Sequence, residues 1–131
     1  GAPHGAGAPR RLMVVDDNRD AADSLSEILR LLGFTVRAEY GGATAIEAAR
    51  QEMPACVFLD LGMPDMDGQA VLRALRQLPG GKDVFVCAVS GYGAEDEKAG
   101  RADFSSFDAR LQKPVELEEL RSVLEIAGAA P

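Results

Sequence analysis

The side chains that could do chemistry together are Asp16, Asp17, Asp60, Ser90 and Lys113. Each follows, at once or within two residues, a short apolar run that reads as a strand. Asp60 is the most conspicuous, a lone carboxylate ending the run Cys56-Val57-Phe58-Leu59 and followed by a loop with Gly62 and Pro64. Such a position is half in the core and half in solvent, and a charge there is costly unless something pairs with it. Three carboxylates at one place repel one another and raise at least one pKa. A hard cation bound through oxygen relieves that repulsion, and Mg2+ suits best because it takes one or two carboxylates and keeps positions for water or phosphate oxygens. With the Lys113 ammonium and the Ser90 hydroxyl directed at one carboxylate, the set describes phosphoryl transfer, where catalysis consists of positioning and charge neutralisation. Asp60 is the expected nucleophile, and an ionised carboxylate needs no general base.

Each residue also has a plainer reading. Asp17 or Asn18 could simply cap the helix that follows, and Asp65 and Asp67 read as turn and cap residues. Ser90 by itself is an ordinary loop serine, and Lys113 a surface lysine. The chemical reading rests on their joint arrival at one edge, so the elements that carry them decide it.

Strands are expected at 12–15, 34–38, 56–59, 84–89 and 108–111. Between them lie helical patterns. The first carries Ala21, Leu25, Ile28, Leu29 and Leu32 on one face and stops at Gly33. An alanine-rich second, through Ala45, Ala48 and Ala49, stops before Pro54. A third buries Val71, Leu72, Leu75 and Leu78 and ends at Pro79-Gly80-Gly81, and a last one aligns Leu117, Leu120, Leu124 and Ala127. From Ala94 to Asp103 charged residues surround only alanines, which predicts a weak, mobile helix. Alternating strands and helices with apolar strands indicate an α/β fold, a parallel sheet covered on both faces. Right-handed crossovers leave few topologies, and among them the doubly wound order 2-1-3-4-5 is expected by analogy with known sheets of this kind, with the second, more polar strand near an edge. In a parallel sheet all strands end on the same side, so the five chemical residues share one rim.

Composition narrows the alternatives. The chain has 131 residues, 47% hydrophobic and 27% charged, as expected of one soluble globular domain. Its net charge of −7 argues against nucleic-acid binding, and no stretch reads as a membrane span or signal peptide, so a cytoplasmic location is expected. The one histidine, His4, lies in a Gly/Ala/Pro segment, residues 1–9, that reads as a flexible linker or cloning remnant. Neither a zinc site nor a Ser/His or Cys/His pair therefore has a scaffold. Cys56 and Cys87 read as buried core residues rather than a disulfide. The folded unit is expected over 10–127, with 128–131 as a tail.

At Val14-Val15-Asp16-Asp17-Asn18, Leu59-Asp60-Leu61-Gly62-Met63-Pro64-Asp65-Met66-Asp67-Gly68, Val89-Ser90-Gly91 and Lys113-Pro114 the chain resembles the receiver domain of two-component response regulators. The resemblance implies a flavodoxin-like fold in which Asp60 accepts a phosphoryl group from a histidine of a kinase or phosphotransfer domain. It also implies that Mg2+ is held by Asp16, Asp17, Asp60 and the backbone carbonyl of Gly62. Ser90 would bond a phosphoryl oxygen, Lys113 would pair with Asp60, and the Lys113–Pro114 peptide would be cis. Where many receivers carry an aromatic switch residue, three positions before the lysine, this chain has Arg110. Gly62 offers no side chain beside the phosphoryl group, so Tyr92 is the expected shield that sets the phosphate's lifetime.

The stretch 107–115 is similar to receivers attached to hybrid histidine kinases, which makes a kinase's C-terminal receiver the expected setting and a stand-alone regulator the alternative. The ending shortly after the last helix implies no DNA-binding domain, and dimerisation through the face of helix 4, strand 5 and helix 5 is a further expectation. Three other functions fit the residues less well. A small Mg-dependent phosphatase would want an acid where Gly62 stands. A flavodoxin-like cofactor module would want a phosphate-cradling loop where Asp16-Asp17 stand. A receiver working without phosphorylation would not need the full residue set.

Overall fold

The computed structural model describes residues 10–64, 67–100 and 102–129; the expected linker with His4, the turn residue Asp65 and the last two residues of the tail lie outside the described residues. Strands and helices alternate: β1 (Arg11–Val15), α1 (Arg19–Leu31), β2 (Thr35–Glu39), α2 (Gly42–Gln51), β3 (Cys56–Asp60), α3 (Gly68–Gln77), β4 (Phe85–Ser90), α4 (Ala94–Lys98), β5 (Ala109–Gln112) and α5 (Leu117–Ile126). All pairings are parallel and the order is β2-β1-β3-β4-β5, the doubly wound, flavodoxin-like arrangement. β2 is indeed an edge strand. Among the described residues no helix is long and apolar enough to cross a membrane.

Alternation along the strands builds two cores. Met13, Val15, Val57, Leu59, Val86 and Ala88 face α2 and α3, where alanines at 45, 48 and 49 keep α2 close. Leu12, Val14, Cys56, Phe58, Cys87 and Val89 face the other way, toward Leu29 of α1 and Leu120, Val123 and Leu124 of α5. Asn18 is the cap of α1, its side-chain oxygen accepting from the Ala21 N–H at 3.1 Å, which leaves Asp17 free for other work. Gly33 ends α1 with φ at +103°, a conformation that favours glycine. Asp67 caps α3 by accepting from Ala70 N–H at 2.9 Å.

The structure corrects several expected positions. Asp60 is not half in solvent; it is the last residue of β3 and 5% exposed. Ile28 and Leu117, assigned to core faces, are exposed, because only part of each helix's apolar arc meets the sheet. α4 ends at Lys98 rather than near residue 103, and beyond it Phe104 and Phe107 join the core. Ala129, past the boundary expected at 127, is buried, and its N–H donates to the Leu124 carbonyl at 2.9 Å.

β5 starts at Ala109, one residue after the expected Asp108, whose N–H still donates to the Val86 carbonyl at 2.9 Å and whose side chain is engaged with the neighbouring turn. Its Oδ2 accepts from Val86 N–H at 2.8 Å and from Arg76 Nη2 at 2.9 Å. Arg76 also donates to the carbonyls of Gly81 and Val84. The turn is too tight for a side chain at Gly81, where a Cβ would lie 1.8 Å from the Leu75 carbonyl oxygen. Together these contacts clamp the α3–β4 turn to the start of β5.

Asp108→Ala leaves the Val86 N–H and the Arg76 guanidinium without their acceptor, and a loss of about 1–3 kcal/mol is expected, read as a lower urea midpoint. An unchanged midpoint would remove Asp108 from the clamp. The two cysteines are free and buried. Burial, aided by the charge of Asp108, pushes the Cys87 thiol up to about 12, and burial with its neighbour Cys87 pushes Cys56 up further still. Neither thiol should react with a disulfide reagent at about pH 8 until the protein unfolds. Because both folded pKa values lie above those of the unfolded chain, stability should fall as pH rises from about 9 toward 12. Rapid labelling of the native protein would contradict this.

Candidate functional site

The carboxyl ends of β1 and β3 diverge where the chain first reverses direction across the sheet, the place where open parallel sheets bind ligands. Asp16 follows β1 directly, Asp60 and Ser90 end β3 and β4, and Lys113 follows β5. Backbone hydrogen bonds continue the ladder past the strands and hold this rim in register. Asp16 N–H donates to the Glu39 carbonyl at 3.1 Å, Leu61 N–H to Val89 at 3.0 Å, and Lys113 N–H to Ser90 at 2.8 Å. The Lys113–Pro114 peptide is cis.

One carboxylate oxygen from each of Asp16, Asp17 and Asp60 lies within 4.8 Å of the others. Asp16 and Asp60 are buried and Asp17 is exposed. The Lys113 Nζ sits between the two buried carboxylates, 3.3 Å from Asp16 Oδ2 and 3.2 Å from Asp60 Oδ1. Asp16 also accepts the Asn18 N–H at 2.9 Å, and Asp60 the Gly62 N–H at 3.2 Å. Burial raises the Asp16 pKa; the Asn18 hydrogen bond and Lys113 work against that rise and the Asp60 charge adds to it. For Lys113, burial alone would lower the pKa, but the hydrogen bond and charge of Asp60, joined by Asp16, more than offset it and leave the ammonium more basic than usual.

These residues line an open cleft of about 550 Å³ together with Asn18, Leu61, Gly62, Ser90, Gly91 and Tyr92. Ser90 is buried, and its Oγ accepts from Tyr92 N–H at 3.0 Å. Gly62 leaves the approach to Asp60 open, since a Cβ there would be 3.6 Å and 3.8 Å from the carboxylate oxygens. Tyr92 is exposed and borders both this cleft and a second groove beside α4 and α5. Arg110 is not brought to the cleft. It lines the second groove instead, 3.7 Å from Glu97. Sequence reasoning missed Leu61 and Gly91 as lining residues, and it missed Glu97 and Phe104 as partners of Arg110. Leu61 and Gly91 adjoin strand ends and could have been included; contacts of Arg110 across the α4–β5 loop left no sequence signal.

The donor set fits a hard divalent cation. It is all oxygen, it converges, and with every group ionised one ammonium among three carboxylates leaves an excess of negative charge. A larger concavity, about 750 Å³ along the free edge of β2, offers no such convergence. There Arg11 pairs with Glu52 at 2.9 Å and Arg30 donates to the Val36 carbonyl at 3.0 Å.

Comparison with known proteins agrees with this geometry. The model of the response regulator receiver domain matches residues 12–125. The transcriptional regulatory protein PrrA of Mycobacterium tuberculosis is 38% identical over 110 residues, which cover 84% of this chain and 46% of PrrA, so the chain spans about half the length of that relative. A CheY-like receiver domain from Methylobacillus flagellatus superposes with a TM-score of 0.78 at 31% identity, over 92% of this chain and 99% of that one. The receiver of sensor histidine kinase PA1611 from Pseudomonas aeruginosa, described with a magnesium ion coordinated in its active-site cleft, shares the fold at a TM-score of 0.76 and 24% identity, over 92% and 99% of the two chains. With the family model covering nearly the whole described domain, the chain belongs to the receiver domains of two-component response regulators.

Proposed function

We propose that this receiver stores a phosphoryl group on Asp60, taken from a phosphohistidine of a kinase or phosphotransfer domain. The observation that carries the reading is the Lys113 ammonium held 3.2 Å from Asp60 and 3.3 Å from Asp16 at the floor of an open cleft. An Asp60 oxygen attacks phosphorus, the new O–P bond forms as the N–P bond breaks, and the electron pair returns to the imidazole. Lys113 steadies the nucleophile beforehand and offers its charge to the phosphoryl oxygens afterwards. Ser90, buried in the same cleft, accepts from the Tyr92 N–H, which leaves its own hydroxyl proton to donate to one of those oxygens. Asp16, Asp17, Asp60 and the Gly62 carbonyl would hold Mg2+, which when bound supplies the positive charge that phosphoryl transfer between anions requires. The proposed setting is the receiver of a hybrid histidine kinase in the cytoplasm, supported by the similarity of residues 107–115 to such receivers.

Incubation with acetyl phosphate or phosphoramidate and Mg2+ should add the mass of one phosphoryl group, and Asp60→Asn should abolish the gain. No adduct in the wild-type protein would sink the proposal. Since Gly62 gives no cover and Tyr92 borders the cleft, Tyr92 sets access of water to the phosphoryl group. Tyr92→Ala should speed loss of the adduct several-fold in a timed mass measurement, whereas equal rates would exclude Tyr92 as the shield.

A further inference from the structure

α4 buries none of its side chains, so apolar packing does not hold it in place. Besides the Asp96 carboxylate that accepts from the Gly93 N–H at 2.9 Å, it is supported by the polar side of β5. Side chains alternate along a strand: Leu111 enters the core, while Arg110 and Gln112 share the opposite face. Arg110 Nη1 lies 3.7 Å from Glu97 Oε1 on α4, and its guanidinium lies over the Phe104 ring, 5.2 Å from the centroid. Phe104 is itself buried, so the guanidinium has a fixed base to rest on. Gln112 packs against Gly93, the residue that starts α4; a Cβ there would be 2.5 Å from Gln112 Oε1.

We propose that Arg110 is an ionic latch for α4, in which its pair with Glu97, backed by the Phe104 ring, sets how much of the time the helix lies against β5. An exposed ion pair adds little to an element that is already secure. α4, however, has five residues, far below the length at which a helix persists unaided. A contribution near thermal energy is then enough to shift its population. A buried ring at position 110 would respond to cavity shape; a guanidinium in contact with a carboxylate responds to ionic strength. The latch belongs to the unmodified protein and stands independently of phosphorylation at Asp60.

Amide hydrogen exchange tests it at Glu97, Ala99 and Gly100, whose N–H groups donate to Gly93, Glu95 and Glu97 carbonyls. Arg110→Ala and Glu97→Gln should each speed exchange there by roughly two- to five-fold, with the double variant no faster than the faster single one. Salt at about 0.5 M should move the wild-type protein toward the variants and leave the variants unchanged. Unaltered exchange in β3 shows that each variant is folded. Arg110→Lys, which keeps the charge but not the planar stack, should fall between wild type and Arg110→Ala. The latch is overturned if α4 exchange ignores salt and both substitutions, or if the two substitutions act additively.

Discussion

Lys113 between Asp16 and Asp60 is the contact on which the arrangement of the cleft depends. Two carboxylates taken out of water side by side are unfavourable twice over, through lost hydration and through mutual repulsion. At an effective dielectric of about 20, two unit charges 4 Å apart interact by about 4 kcal/mol, comparable with a large share of a small domain's stability. One ammonium touching both acids is the least that makes their burial tolerable. It is also not enough, because Asp17 adds a third negative charge to the group. The cleft therefore keeps an excess of negative charge that a bound cation would relieve.

Holding Lys113 there is the work of the sheet. The lysine is far from both acids in the chain, and it reaches them because β5 is parallel to β1, β3 and β4 and ends at the same rim. Its N–H donates to the Ser90 carbonyl, so the backbone that carries the ammonium is fastened to the backbone that carries the hydroxyl. Asp108 and Arg76 secure the other end of the same strand against α3 and β4. A four-residue edge strand has few ladder bonds of its own, and these side-chain ties supplement them at the end remote from the cleft.

The rim was readable from sequence because it rests on period and direction alone. Strands that are apolar throughout imply a parallel sheet, a parallel sheet has one carboxyl edge, and the acids, the serine and the lysine stand at strand ends. What could not be read depends on how far a side chain reaches or how wide a buried arc is. Ile28 and Leu117 fit a helical stripe but fall where α1 and α5 meet no neighbour. Asp60 is buried more deeply than a strand end suggests, since Lys113 and the Gly62 N–H supply what water would otherwise provide. Asp108 opens the fifth strand in the sequence reading, yet its carboxylate is committed to Arg76, thirty-two residues away.

β5 consequently serves two sites with one strand. Its end places Lys113 in the cleft, and its polar face places Arg110 and Gln112 beneath α4. The strand's inward face, through Leu111, is locked into the core, so the two roles are mechanically connected by a rigid segment of only a few residues. Gln112 pairs with Ser90 in register, and its side chain lies against Gly93, the cap residue of α4. α4 has no apolar anchor among its side chains, so its position depends on the polar contacts it makes with β5 and at its own N-terminus.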